Sequence, residues 1–223
     1  ERARPAREGK GARRWNRGRR TQPARQRDDR RRSRRPQRPR RGGAHPSRRP
    51  DGSLRRLPGG STTHGDGDVV RFVVEVERHL RASRSTFLRR VEATLFSPRG
   101  WLRSGDLAFR RARRAPVDVR IVLASPATTD RLCAPARTLG RLSCHNDGLV
   151  VINAWRWKNG APAYRRLSRY RTYVVNHEVG HALGHGHLTC SGTGAAPVMM
   201  QQTIGVDTCR ANPWPLRAEV GGG

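Results

Sequence analysis

The stretch His177-Glu178-Val179-Gly180-His181-Ala182-Leu183-Gly184-His185-Gly186-His187 constrains this chain more than any other. It reads H-E-x-x-H-x-x-G-x-x-H and holds four of the chain's eight histidines. On a helix, His177 and His181 lie one turn apart on one face, so both imidazoles can reach one metal ion. Glu178 falls on the adjoining stripe, near enough to hold a water at that metal without being a ligand. Gly184 can take the left-handed conformation that ends a helix. The chain then turns away and brings His187 back as a third ligand. Three nitrogen ligands and one open position describe a catalytic zinc site, because structural zinc sites are usually closed by four protein ligands. The expected cofactor is therefore Zn2+. The expected reaction is a hydrolysis with Glu178 as general base.

Both methionines of the chain lie in Pro197-Val198-Met199-Met200-Gln201, a short loop after His187. The segment His177 to His187 resembles the zinc signature of the metzincin metallopeptidases. That resemblance implies a methionine turn beneath the metal, formed by Met199, or by Met200 if the register differs by one. A wider set of residues resembles a narrower family. Asn176-His177-Glu178-Val179-Gly180-His181, Ala196-Pro197-Val198-Met199, Gln201-Gln202-Thr203 and Asn212-Pro213-Trp214-Pro215 are similar to an uncharacterised actinobacterial domain family of secreted or surface-held zinc peptidases. The likeness runs from about Gly67 to Pro215 and implies a peptide or protein substrate. Some metzincins supply a tyrosine just after the turn methionine. Here Gln201 and Gln202 occupy that region, so no transition-state contact is carried over to it.

Composition divides the chain. Residues 1–60 carry 23 Lys and Arg against 5 acids, and residues 61–223 carry 24 against 12. The first part is rich in Arg, Pro and Gly and nearly free of aliphatic residues. It cannot bury enough apolar surface to offset the entropy of ordering. The expected organisation is a disordered basic tail over 1–65 and a zinc peptidase domain over 66–218. The excess charge of residues 1–60 suits contact with a polyanion. An alternative function is thus a surface-anchored polyanion-binding protein with a non-catalytic zinc site. Glu178 and the open fourth position favour the enzyme. No run of about eighteen apolar residues occurs, so no membrane span is expected in this segment. The domain is expected to act as a monomer.

Cys133, Cys144, Cys190 and Cys209 contain no C-x-x-C spacing, which argues against a thiolate metal site or a thioredoxin-like pair. Three disulfide connectivities are open. Pairs 133/144 and 190/209 each close a short loop and are favoured, which implies an oxidising, extracytoplasmic location, secreted or at the cell surface.

Hydrophobic alternation predicts strands at Asp68–Glu77, Leu107–Arg111, Val117–Ala124 and Leu149–Asn153. In the first, Glu75 and Glu77 are expected on the polar face. Helical spacing of Phe87, Leu88, Val91 and Leu95 predicts a helix over Ser85–Phe96. A second helix should begin between Tyr164 and Ser168 and end near Leu183. Its metal face opposes Val175, Val179, Ala182 and Leu183, which should meet the sheet. Tyr170 and Tyr173 read as core or helix-surface residues, His185 as exposed or supporting a ligand, and His145 as structural in a turn beside Cys144. The fold class is α+β, a mixed twisted sheet with two main helices, the order also found in the upper part of metzincins.

Overall fold

The computed structural model describes residues 51–221. The expected disorder and polyanion contact of the basic tail fall mostly on residues outside this range. The predicted strands appear as β2 (Asp68–Glu77), β3 (Leu107–Arg111), β4 (Val119–Ala124) and β6 (Leu149–Asn153). Two short strands join them, β1 (Leu54–Arg56) and β5 (Cys144–Asn146). The sheet order is β1-β2-β4-β6-β5, with β1 and β5 antiparallel at the two ends and β2, β4 and β6 parallel. β3 also runs parallel to β2, along its N-terminal half. It lies on the same side of β2 as β1, because Phe72 O and Val74 O accept from Ala112 and Leu57 while Arg71 O accepts from Asp118.

The two main helices are α1 (Arg84–Leu95) and α4 (Leu167–Ala182). Ser83 caps α1 by accepting from Thr86 N. Phe87, Val91 and Leu95 then meet Phe72, Val74, Ile121 and Ile152 in the main core. Helix α4 is buried on nearly all sides from Tyr170 to Gly180. That packing explains why it tolerates Val174, Val175, Val179 and Gly180, which are poor intrinsic helix formers.

The opposite face of the sheet is covered by α2 (Pro126–Cys133), which the hydrophobic pattern does not announce. Val122, Ala124 and Val151 pack there against Cys133 and Cys144. This cover corrects the expectation that Glu75 and Glu77 face water. Both are buried. Glu77 accepts from Gly52 N, Ser125 N and Thr128 Oγ1 at 2.6–2.8 Å. Glu75 pairs with Arg120 at 2.6 Å. Alternation assigns faces correctly but cannot tell that the polar face is covered.

The expected domain start at 66 is also too late. Leu54–Arg56 pairs with Glu75–Glu77, Leu57 is buried, and His64 bridges to Phe109. These residues look tail-like in composition, but their backbone groups complete an edge of the sheet.

The favoured disulfides are the ones formed, Cys133–Cys144 and Cys190–Cys209. Two disulfides suit an oxidising environment. Among the described residues no helix is long and apolar enough to cross a membrane.

Candidate metal centre

Helix α4 carries His177 and His181 one turn apart and ends as the sequence predicts. Gly184 has φ 93°, Gly184 N donates to His181 O at 3.0 Å, and His185 N donates to Gly180 O at 2.9 Å. These paired bonds form a Schellman ending, which needs a left-handed residue at its turn. The reversal delivers His187 to the other two rings. Ligating atoms of His177, His181 and His187 lie within 4.8 Å of one another, and His181 Nε2 is 3.0 Å from His187 Nε2.

Backbone carbonyls orient two of the rings. His177 Nδ1 lies 2.8 Å from Val198 O, and His181 Nδ1 lies 2.8 Å from His185 O. A carbonyl can only accept, so each Nδ1 carries the proton and each Nε2 keeps a lone pair for a metal. Burial pushes His177 down to about 3 and holds His187 below the usual imidazole range. Both rings are therefore neutral at neutral pH, the form that ligates. Three converging imidazole nitrogens, with no fourth protein ligand among the described residues, fit a borderline cation such as zinc with an open position.

Glu178 is buried, and its carboxylate has no hydrogen-bond partner among the described residues. It borders the same cleft as the imidazoles. Burial pushes its carboxyl up to about 8, and a cation held by the three rings would oppose that shift. Tyr173, Thr203 and β5 border the same cleft, whose volume is about 490 Å³.

Met199 lies fully buried under α4. A Cβ placed on Gly180 would collide with Met199 Sδ and come within 2.6 Å of Trp101 Cζ2. The glycine of the motif is thus required by close packing of the methionine turn and an indole. Met200 is also buried but joins a separate small cluster with Ala196 and Cys209. The turn carries four tethers to the site. Val198 O holds His177, Met199 O accepts from Leu188 N at 3.1 Å, and the Glu219 carboxylate accepts from Val198 N and Met199 N at 2.9 and 2.8 Å.

Other supports have no motif to announce them. Trp101 donates its indole N–H to Asn176 O at 3.0 Å and stacks on His185 at 4.4 Å. His185 therefore supports His181 through its carbonyl while its ring rests on Trp101. All three tyrosines of the chain hold the segment after the turn: Tyr173 donates to Met200 O, Tyr164 donates to Gln202 Oε1, and Tyr170 pairs with Thr203 Oγ1. Tyr170 and Tyr173 are buried, which selects the core over the helix surface. Gln202 is fully buried and makes four bonds, two accepted from Tyr164 and Asn212 and two donated to Pro197 O and Asn212 O. Its burial answers why polar residues follow the methionine: this one is a structural node. His145 lies on β5, not in a loop, and its Nε2 accepts from Gly148 N at 3.1 Å across the hairpin turn.

No curated protein and no solved structure matches the chain. Residues 40–216 match the model of a protein family, DUF3152, described as a protein of unknown function. That match spans most of the chain, and the candidate metal centre, the methionine turn beneath it and the sheet that carries them all fall inside it, so the chain belongs to the DUF3152 family.

Proposed function

We propose that this chain is a zinc-dependent peptidase of metzincin type, acting outside the cytoplasm. The observation that carries this reading is the pairing of three convergent imidazoles with an unpartnered carboxyl group, Glu178, on the wall of one open cleft. A purely structural site has no use for either the missing fourth ligand or a desolvated carboxylate beside it.

His177, His181 and His187 would hold the ion. Bound zinc supplies electrophilic polarisation of the scissile carbonyl and a lowered water pKa. Glu178 takes the proton from the attacking water and hands it to the leaving amine. The Val198 and His185 carbonyls keep two imidazoles in the ligating tautomer throughout. β5 ends the sheet beside the cleft, and an extended peptide can add to its outer edge as a further strand. That geometry favours a peptide over a compact small molecule.

The test is metal analysis of purified full chain followed by digestion of a peptide library. One zinc per chain and cleavage that disappears on chelation are expected. Zinc at one per chain with no cleavage of any peptide would favour the non-catalytic reading.

A further inference from the structure

The wall of the cleft facing the metal centre is the segment 134–143, between α2 and β5. It is held at both ends by Cys133–Cys144. From α2, the Asp130 carboxylate accepts from Thr138 Oγ1 and from Gly140 N of that loop, and Thr138 O accepts from Arg141 N and Leu142 N at 2.8 and 3.0 Å. Thr138 is buried by these contacts. Its neighbour Arg137 is thus carried on a fixed backbone at the cleft surface.

Three arginines occur near this wall, and the structure sends them to different places. The Arg131 guanidinium lies against Gly52. Arg141 stacks over the Trp155 ring at 4.0 Å. Only Arg137 borders the cleft. It is exposed and has no acidic partner among the described residues. Each hydroxyl around it already has a partner within the fold. Thr138 donates to Asp130, Ser143 Oγ accepts from Asn153 N at 3.1 Å, and Thr203 pairs with Tyr170. Among the described residues no acid but Glu178 borders the cleft, and no other Lys or Arg does. Among the described residues, Arg137 is therefore the planar, multidentate cation offered to whatever lies in the cleft. Such a fork matches a carboxylate in both charge and shape.

We propose that this cleft selects peptides with an Asp or Glu side chain close to the scissile bond, and that Arg137 is the residue that reads the carboxylate. The proposal rests on the peptidase reading for the word scissile, but recognition of the carboxylate can be measured without hydrolysis. A partly exposed charge pair with good geometry changes binding by about five- to tenfold.

The experiment uses zinc-loaded full chain carrying Glu178→Gln, so that bound peptide persists. Two fluorescent octapeptide pools are compared by anisotropy at about 0.15 M salt, one with Glu and one with Gln at the central positions. The Glu pool is expected to bind about five- to tenfold more tightly. Arg137→Ala should erase the difference and Arg137→Glu should reverse it. Arg113→Ala removes the same charge from an exposed position away from this cleft and should keep the preference. Retention of the preference in Arg137→Ala would assign it to net charge and overturn the proposal, as would equal or absent binding of the two pools by the parent. A preserved preference alongside no cleavage by wild-type protein would leave carboxylate recognition standing and sink the peptidase reading instead.

Discussion

His177 Nδ1 lies 2.8 Å from the carbonyl oxygen of Val198, so the first imidazole of the motif is oriented by a residue twenty-one positions later. The same Val198 gives its N–H to Glu219, on the short helix α5 (Arg217–Val220). Glu219 also accepts from Met199 N and Leu216 N. One buried carboxylate near the end of the domain thus fixes the turn that orients the His177 ring. Replacing Glu219 with Ala should strand these backbone donors and cost at least about 2 kcal/mol of stability. Zinc affinity should fall about ten- to a hundredfold, the usual effect of losing a group that supports a ligand. Thermal melts and a competitive chelator titration check both numbers. An unchanged affinity would mean the turn holds its place without the carboxylate.

Gly180 is a packing requirement of the motif. Its missing Cβ leaves room for Met199 and for Trp101, whose indole is pinned by the bond to Asn176 O. Gly180→Ala should gain helix propensity on α4 yet destabilise the chain by about 1–3 kcal/mol through overpacking. A melt at equal or higher temperature than wild type would show that the methionine side chain can move aside freely.

Substituting Glu178 with Gln preserves shape but removes the proton acceptor. Peptide hydrolysis should fall by at least about a hundredfold while the zinc content stays at one per chain. Changing His181 to Ala should lose both. Matched digests and metal analyses of the two variants separate catalysis from binding, and undiminished cleavage by Glu178→Gln would place the base elsewhere.

Burial sets a pH dependence that can be read on chelator-treated protein. The Glu178 carboxyl, at about 8 when folded, lies above its ordinary 4.5. The folded state therefore prefers the protonated form. This contribution is complete below about 4.5 and is lost as pH rises through 8. Glutamine mimics the protonated form at every pH. Chelated Glu178→Gln should melt at least about 5 °C above chelated wild type at pH 8.5 or so, and nearly level with it at about pH 5. His177 is depressed by burial in both proteins and cancels in the comparison. Parallel melting curves across the range would show that Glu178 is solvated in solution.

The folded body can be cut back only to its real edge. Removing residues 1–50 leaves every described contact of β1 in place. Removing residues 1–60 deletes β1, the buried Leu57 and the Gly52 N–H that Glu77 accepts. The longer deletion should cost at least about 3 kcal/mol more than the shorter, seen as a lower denaturation midpoint. Equal midpoints would show that β1 adds nothing to the sheet.

The chain's own sequence determined the parts that depend on neighbours along it. The convergence of three histidines was legible because His177 and His181 obey helix spacing, with Glu178 on the adjoining stripe, and Gly184 takes the left-handed conformation that turns His187 back. The strands at Asp68–Glu77, Leu107–Arg111 and Leu149–Asn153 were legible because alternation of side chains repeats every two residues. The Cys133–Cys144 and Cys190–Cys209 pairs were legible because each closes a short loop. What only the tertiary structure decided lies at long separations, where no periodicity marks a partner. Glu77 reads as a solvent-facing residue until α2 covers it. Leu54–Arg56 reads as tail until β2 accepts it at the sheet edge. Trp101, Gln202 and Glu219 look like ordinary residues in sequence, and their roles arise because folding brings them to carbonyls and amides that would otherwise be buried without partners. Arg137 is one arginine among many until the loop between Cys133 and Cys144 turns its neighbours away and leaves its charge in the cleft. Short-range geometry is written in residue spacing, whereas the satisfaction of buried polar groups is settled only when distant segments meet.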